Sequence, residues 1–167
     1  QDVFIFKGYR IGITICEDAW VTQSDSYEHN PIDLFHDKQL DVLLNLSASP
    51  FERGKDQIRF DLFSKHAQRL GVPVIMVNQV GGNDQLIFDG NSFAVSAFGD
   101  VLCQLSSFSA DMTVMSLDDT PKSDGVYSKL APINSIHDAL VLGIRDYVHK
   151  TGFKDVVIGL SGGIDSA

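Results

Sequence analysis

The 167-residue chain is 44% hydrophobic and 21% charged, the make-up of an ordinary folded protein. Its 22 acidic and 13 basic residues give a net charge of −9, which speaks against nucleic acid as a partner, because phosphate backbones are met by stripes of Lys and Arg. No apolar run reaches membrane-spanning length, and two cysteines, Cys16 and Cys103, make no disulfide framework, so a reducing cytoplasm and no membrane contact are expected.

Val3 to Phe6 and Tyr9 to Ile15 read as a hairpin turning at Lys7-Gly8. In the second strand Ile11, Ile13 and Ile15 alternate with Gly12 and Thr14, the period of a packed sheet strand. The alternation stops at Cys16-Glu17-Asp18, a thiol and two carboxylates that cannot all be buried without partners. Locally this is either a core cysteine before a solvated acidic turn or a nucleophile presented at a strand end. Trp20 is expected to pack against that turn. Asn30-Pro31 starts a short helix reaching about Gln39, with Asn as N-cap and Pro at the first position.

Asp41 to Ser47 reads as a buried strand, and Ala48 to Gly54 as a loop bracketed by Pro50 and Gly54. Lys55 to Leu70 is the clearest helix, with Phe60, Phe63, Ala67 and Leu70 on one stripe and Gly71 closing it. Val72 to Val77 is the next strand, and Asn78 to Asp84, with two adjacent glycines, reads as a loop. Asp89-Gly90 is expected in the loop entering the following strand. Ser92 to Ala97 and Val101 to Leu105 pair as a hairpin across Phe98-Gly99-Asp100. Cys103 reads as a core or surface residue of that pair. Strands alternating with helices and followed by hairpins indicate an α/β layered domain over 1–115.

From 116 to 130 the chain is polar and turn-rich, the texture of a linker. Over 131–167 a second unit begins: a helix with Ile136, Leu140, Ile144, Tyr147 and Val148 in a stripe, ended by Gly152, then a buried strand Asp155 to Leu160. Both ends look cut, so the chain is expected to be a fragment of a longer protein. None of His29, His36, His66, His137 and His149 has metal-site spacing.

The strand Asp155 to Leu160 feeds Ser161-Gly-Gly-Ile-Asp-Ser166. Two glycines let backbone N–H groups approach an anion, and Ser161 and Ser166 add hydroxyl donors. Asp165 would repel a bare phosphate and makes sense through a hard cation such as Mg²⁺. The loop lacks the lysine of a Gly-Lys-Ser/Thr phosphate loop. It resembles the PP-loop of ATP pyrophosphatases. With Cys16-Glu17-Asp18, Asn45-Leu-Ser-Ala-Ser-Pro50, Gly54-Lys55 and Asn78-Gln-Val-Gly-Gly82 ahead of it, the chain resembles the glutamine-dependent NAD(+) synthetase family, a nitrilase-like amidase joined to a PP-loop domain.

The resemblance implies part of an αββα nitrilase sandwich followed by the start of an adenine-nucleotide α-hydrolase-like α/β domain. It implies that Cys16 attacks the side-chain amide of L-glutamine, and that Glu17, Ser49 and Lys55 hold the amino acid. For Ser49 and Lys55 the plainer alternatives are a residue preceding a proline turn and a first-turn surface lysine. Gly159, Leu160, Ser161, Gly162, Gly163, Ile164, Asp165 and Ser166 would bind ATP, with Asp165 on Mg²⁺. The released ammonia would amidate adenylylated deamido-NAD. In the family a Glu base and a Lys precede the nucleophile; neither is recognisable in Gln1 to Ile15, since Lys7 lies too close to Cys16. The fragment alone is therefore expected to be inactive and poorly soluble, and the full-length enzyme to be a homo-oligomer acting on small molecules. The rival readings are another PP-loop amidotransferase or tRNA-modifying enzyme, and a non-catalytic nitrilase-fold assembly domain.

Overall fold

A computed structural model describes residues 3–21, 30–118 and 126–166. Strands β1 (Phe4–Phe6), β2 (Tyr9–Ile15), β3 (Val42–Ser47), β4 (Val74–Asn78), β7 (Phe93–Val95) and β8 (Val101–Gln104) form one sheet in the order β1-β2-β3-β4-β7-β8. The pairs β2–β3 and β3–β4 are parallel and the others antiparallel. The crossover from β3 to β4 is helix α1 (Lys55–Leu70), with Gly71 at its end as expected. Phe63 and Ala67 of α1 are fully buried against Leu43, Val74, Met76, Phe93 and Val95. Truncating Phe63 to Ala there would cost roughly 3–5 kcal/mol.

The stretch after Asn30 is a 3₁₀ turn, Pro31–Phe35, rather than a helix reaching Gln39. The Asn30 side chain caps it as expected, accepting from the Ile32 N–H at 2.9 Å. Gln39, at φ 51°, then turns the chain into β3.

Asn78 to Asp84 is not a loop. Strands β5 (Val80–Asn83) and β6 (Leu86–Asp89) form a separate two-stranded hairpin, with Asn83 opposite Leu86. Asp84, at φ 50°, takes the left-handed turn conformation that Asp tolerates in two-residue loops. The hairpin is stabilised from outside by helix α2 (Pro132–Lys150). The Gly82 N–H donates to Asp146 Oδ2 at 2.7 Å, and Lys150 Nζ donates to the Gly82 carbonyl. A Cβ on Gly82 would sit 3.3 Å from both Gly143 Cα and Asp146 Cβ, so the close approach of helix and strand rests on glycine.

The stripe expected to bury α2 faces solvent instead: Leu140 is 57% and Ile144 65% exposed. Its buried side carries Ser135, Ala139 and Leu142, with Gly143 beside them where the hairpin lies close. Asp155 to Leu160 is exposed and forms no strand, because no neighbouring strand lies beside it among the described residues. Within the stretch read as a linker, 119–125 lies outside the described residues. Tyr127 beyond it is buried in the main core, stacked on Phe60 at 4.4 Å.

The isoleucine alternation in β2 is real, but Gly12 and Thr14 face the α1 side. Ile13 and Ile15 share the opposite face with Leu46 of β3 and Val77 of β4, and all four are exposed.

Candidate active site

Cys16 stands where β2 ends. Its φ of 46° is in the left-handed region, at a cost of roughly 1–2 kcal/mol for a residue with a Cβ. The chain then enters a 3₁₀ turn, Cys16–Ala19. Asp18 is part of this turn's structure, accepting the Ile15 N–H at 3.0 Å. Ala19 is buried, and its carbonyl accepts from His66 Nε2 of α1 at 2.7 Å. Burial holds the His66 pKa below its ordinary value and favours the neutral ring, although the bond to the Ala19 carbonyl pulls the other way.

From the neighbouring strand, the fully buried Asn45 donates to Thr14 Oγ1 at 3.0 Å and to the Cys16 carbonyl at 3.4 Å. Ser47 Oγ donates in turn to Asn45 Oδ1 at 2.6 Å. The bend carrying the thiol is thus fixed from two sides.

The facing wall is the segment from β3 to α1. Ser49 is 3% exposed, and one side-chain amide holds both of its backbone polar groups. Its N–H donates to Asn78 Oδ1 at 2.8 Å, and Asn78 Nδ2 donates to its carbonyl at 3.2 Å. The Ser49 hydroxyl, by contrast, is buried with no hydrogen-bond partner among the described residues. Lys55 opens α1, and its ammonium lies 5.3 Å from the centre of the Trp20 ring. No carboxylate is paired with it among the described residues.

Cys16, Glu17, Trp20, Ser49, Pro50 and Lys55 together line a cleft of about 310 Å³. The thiol also borders a depression of about 380 Å³ on the open sheet face, beside Ile15, Leu46 and Val77. The structure therefore brings Cys16, Glu17, Ser49 and Lys55, which the family resemblance groups as one amino-acid site, to the lining of one cleft. Thiol, carboxylate, ammonium and an unsatisfied hydroxyl in one cleft suit a zwitterionic amino acid carrying an electrophilic carbonyl. Asn45, Asn78, Asp89 and Arg59, which shape the site, were not picked out for such roles; each is buried and polar, but that shows only once the strands are in register.

The loop residues form a second group. Gly159 through Asp165 are exposed, Gly162 has φ 79°, and nothing lies within 4 Å of a Cβ built on Gly159 or Gly162. Ile164–Ser166 make a 3₁₀ turn. Among the described residues no three metal-capable side chains cluster. Asp165 is the one carboxylate within Gly159 to Ser166, and by itself it does not make a metal site.

The chain matches the family model described as carbon-nitrogen hydrolase over residues 2–123 and the one described as NAD synthase over residues 136–167. It is 43% identical, over its whole length, to a glutamine-dependent NAD(+) synthetase of Synechocystis sp., covering 31% of that protein. Among solved structures, the glutamine-dependent NAD(+) synthetase of Acinetobacter baumannii, in complex with adenosine diphosphate, superposes with a TM-score of 0.82 at 37% identity, over 98% of this chain and 30% of that one. A carbon-nitrogen hydrolase from Helicobacter pylori, at 24% identity and a TM-score of 0.52 over 63% of this chain, shares the fold. The chain spans about three tenths of the length of the curated relatives it matches. The resemblance to glutamine-dependent NAD(+) synthetases and the nitrilase-like α/β fold read from the sequence are both upheld. With 122 of its 167 residues inside one family model, this chain belongs to the carbon-nitrogen hydrolase family.

Proposed function

We propose that the protein carrying this chain is a glutamine-dependent NAD(+) synthetase and that the cleft at Cys16 is its glutaminase site. The observation that carries the reading is the convergence of Cys16, Glu17, Ser49 and Lys55 on one cleft. The names of the relatives and the match to NAD synthase at the C-terminal end support it.

In this reading Lys55 and the Ser49 hydroxyl receive the α-carboxylate of glutamine, and Glu17 receives the α-ammonium. The side-chain amide is then held toward Cys16. The thiolate sulfur bonds to the amide carbon, the C–N bond breaks, and the nitrogen leaves as ammonia after taking a proton. Water then cleaves the thioester to glutamate and restores the thiol. The base and the lysine of the family's triad precede the nucleophile in sequence. The ammonia amidates deamido-NAD that ATP has adenylylated. The loop Gly159 to Ser166 would hold the ATP phosphates through its backbone N–H groups, and Asp165 would offer its carboxylate to a magnesium ion neutralising the phosphate charge.

The test is Cys16→Ala in the full-length protein. Glutamine-dependent NAD⁺ formation should be lost and ammonia-dependent formation kept. Equal loss of both would make Cys16 structural and end this reading.

A further inference from the structure

We propose that Arg59, Asp89 and Asn78 are positioning residues that lock the Ser49 wall and the Lys55 helix together, and thereby set the affinity for the amino-acid end of the amide substrate. The inference rests on the reading of Ser49 and Lys55 as substrate contacts. Arg59 is 1% and Asp89 0% exposed, and they pair through both terminal guanidinium nitrogens, Nη1 at 2.9 Å from Oδ1 and Nη2 on Oδ2. A buried ion pair adds little net stability over an apolar pair of the same shape, because both charges lose their water. Its geometry gives it a different use.

Asp89 Oδ1 accepts from Asn78 Nδ2 at 3.3 Å as well as from Arg59. Asn78 is the residue whose amide grips both backbone polar groups of Ser49. Arg59 lies one helical turn beyond Lys55, on the same side of α1. One carboxylate is therefore tied both to the Ser49 segment and to helix α1. Pro50 restricts the Ser49 backbone further, since a residue before proline is held extended. Everything polar on Ser49 is spoken for except the hydroxyl, which is the atom left for a ligand. The backbones that carry the hydroxyl and the ammonium then keep a fixed separation, which binding of an α-carboxylate needs and reaction of the free thiol does not.

The test uses the full-length protein. Asn78→Ala should raise the KM for glutamine at least tenfold. Ammonia-dependent NAD⁺ formation, and alkylation of Cys16 by iodoacetamide followed by peptide mass spectrometry, should stay within twofold, because neither uses the Ser49–Lys55 pair. Arg59→Met with Asp89→Asn removes both charges and keeps an amide oxygen for Asn78; it should show the same split with a smaller rise in KM. An unchanged KM in a folded variant overturns the proposal. So does Cys16 alkylation slowing in step with the rise in KM, or failure of both variants to fold, which would make the network structural. If the unmutated protein does not hydrolyse glutamine, the glutaminase reading itself fails, an outcome separable from all of these.

Discussion

Lys55→Met separates a functional lysine from a surface one by opposite effects on stability and affinity. Lys55 is the first residue of α1, where the helix dipole disfavours a cation by about 0.3–1 kcal/mol. Against this stands its contact with the Trp20 ring, worth about 0.5–1 kcal/mol at such a site. The two nearly cancel, so methionine, similar in length and uncharged, should move folding stability by less than about 1 kcal/mol. In the substrate complex the same change removes a charge-assisted hydrogen bond of about 1.5–3 kcal/mol. It also leaves Glu17, placed for the α-ammonium, as the one charged side chain lining the cleft among the described residues. Because Lys55 is only half-buried, the low end applies, about 1.5 kcal/mol, or a KM for glutamine raised about tenfold. The assay is NAD⁺ formation by the full-length protein from glutamine and from ammonia, beside thermal unfolding. An unchanged glutamine KM, or a fall in stability matching the loss of activity, would refute the assignment.

Further outcomes follow from the same geometry. At an ordinary backbone position Gly is less stable than Ala by about 0.5–1 kcal/mol. At Cys16, φ 46°, the order should vanish or reverse, so in unfolding midpoints Cys16→Gly should equal or exceed Cys16→Ala; a clear deficit would deny the left-handed bend. Burial lowers the His66 pKa below the ordinary 6.5, so the unfolded chain binds the proton more readily and stability should fall as pH drops below about 6.5. His66→Gln, which retains a donor for the Ala19 carbonyl, should flatten that decline; parallel pH curves for the two proteins would contradict it. Gly162→Val places a Cβ at φ 79° where phosphate oxygens are expected, and should abolish ATP–pyrophosphate exchange while glutamine hydrolysis survives; unchanged exchange would mean an ordinary turn.

Helix α1 was legible because its signals are local: a stripe at three- and four-residue spacing, with Gly71 to stop it. The cleft residues were legible as types, a thiol at a strand end and a lysine after Gly54, with the family resemblance supplying their roles. Elements that depend on distant partners were not. The Gly81-Gly82 pair looks like a loop until α2, more than fifty residues on, lies across it. The apolar run Asp155 to Leu160 looks like a strand, yet a strand exists only beside another. The stripe on α2 signals an apolar face without saying what lies against it, and here the smaller face docks. The Arg59–Asp89–Asn78 network joins residues 30 and 11 positions apart, and Asp89-Gly90 by itself reads as a loop entering a strand, whereas Asp89 ends β6.

Tyr127 sets an order of events during synthesis. Its ring stacks on Phe60 and meets Phe93 edge-on at 5.8 Å, and its hydroxyl accepts from Asn91 Nδ2 at 2.6 Å. Three residues later the Leu130 N–H donates to Asp56 Oδ2 at 3.0 Å, closing a loop of 74 positions next to Lys55. Strands β3 and β4 and helix α1 can assemble as soon as they leave the ribosome, since their contacts are near in sequence. The aromatic cluster beneath α1 stays open until residue 127 has emerged. A nascent chain halted near position 115 would thus expose Phe60 and Phe93, apolar surface of the kind that recruits chaperones, and the wall carrying Lys55 would reach its final rigidity only after Leu130 had been made.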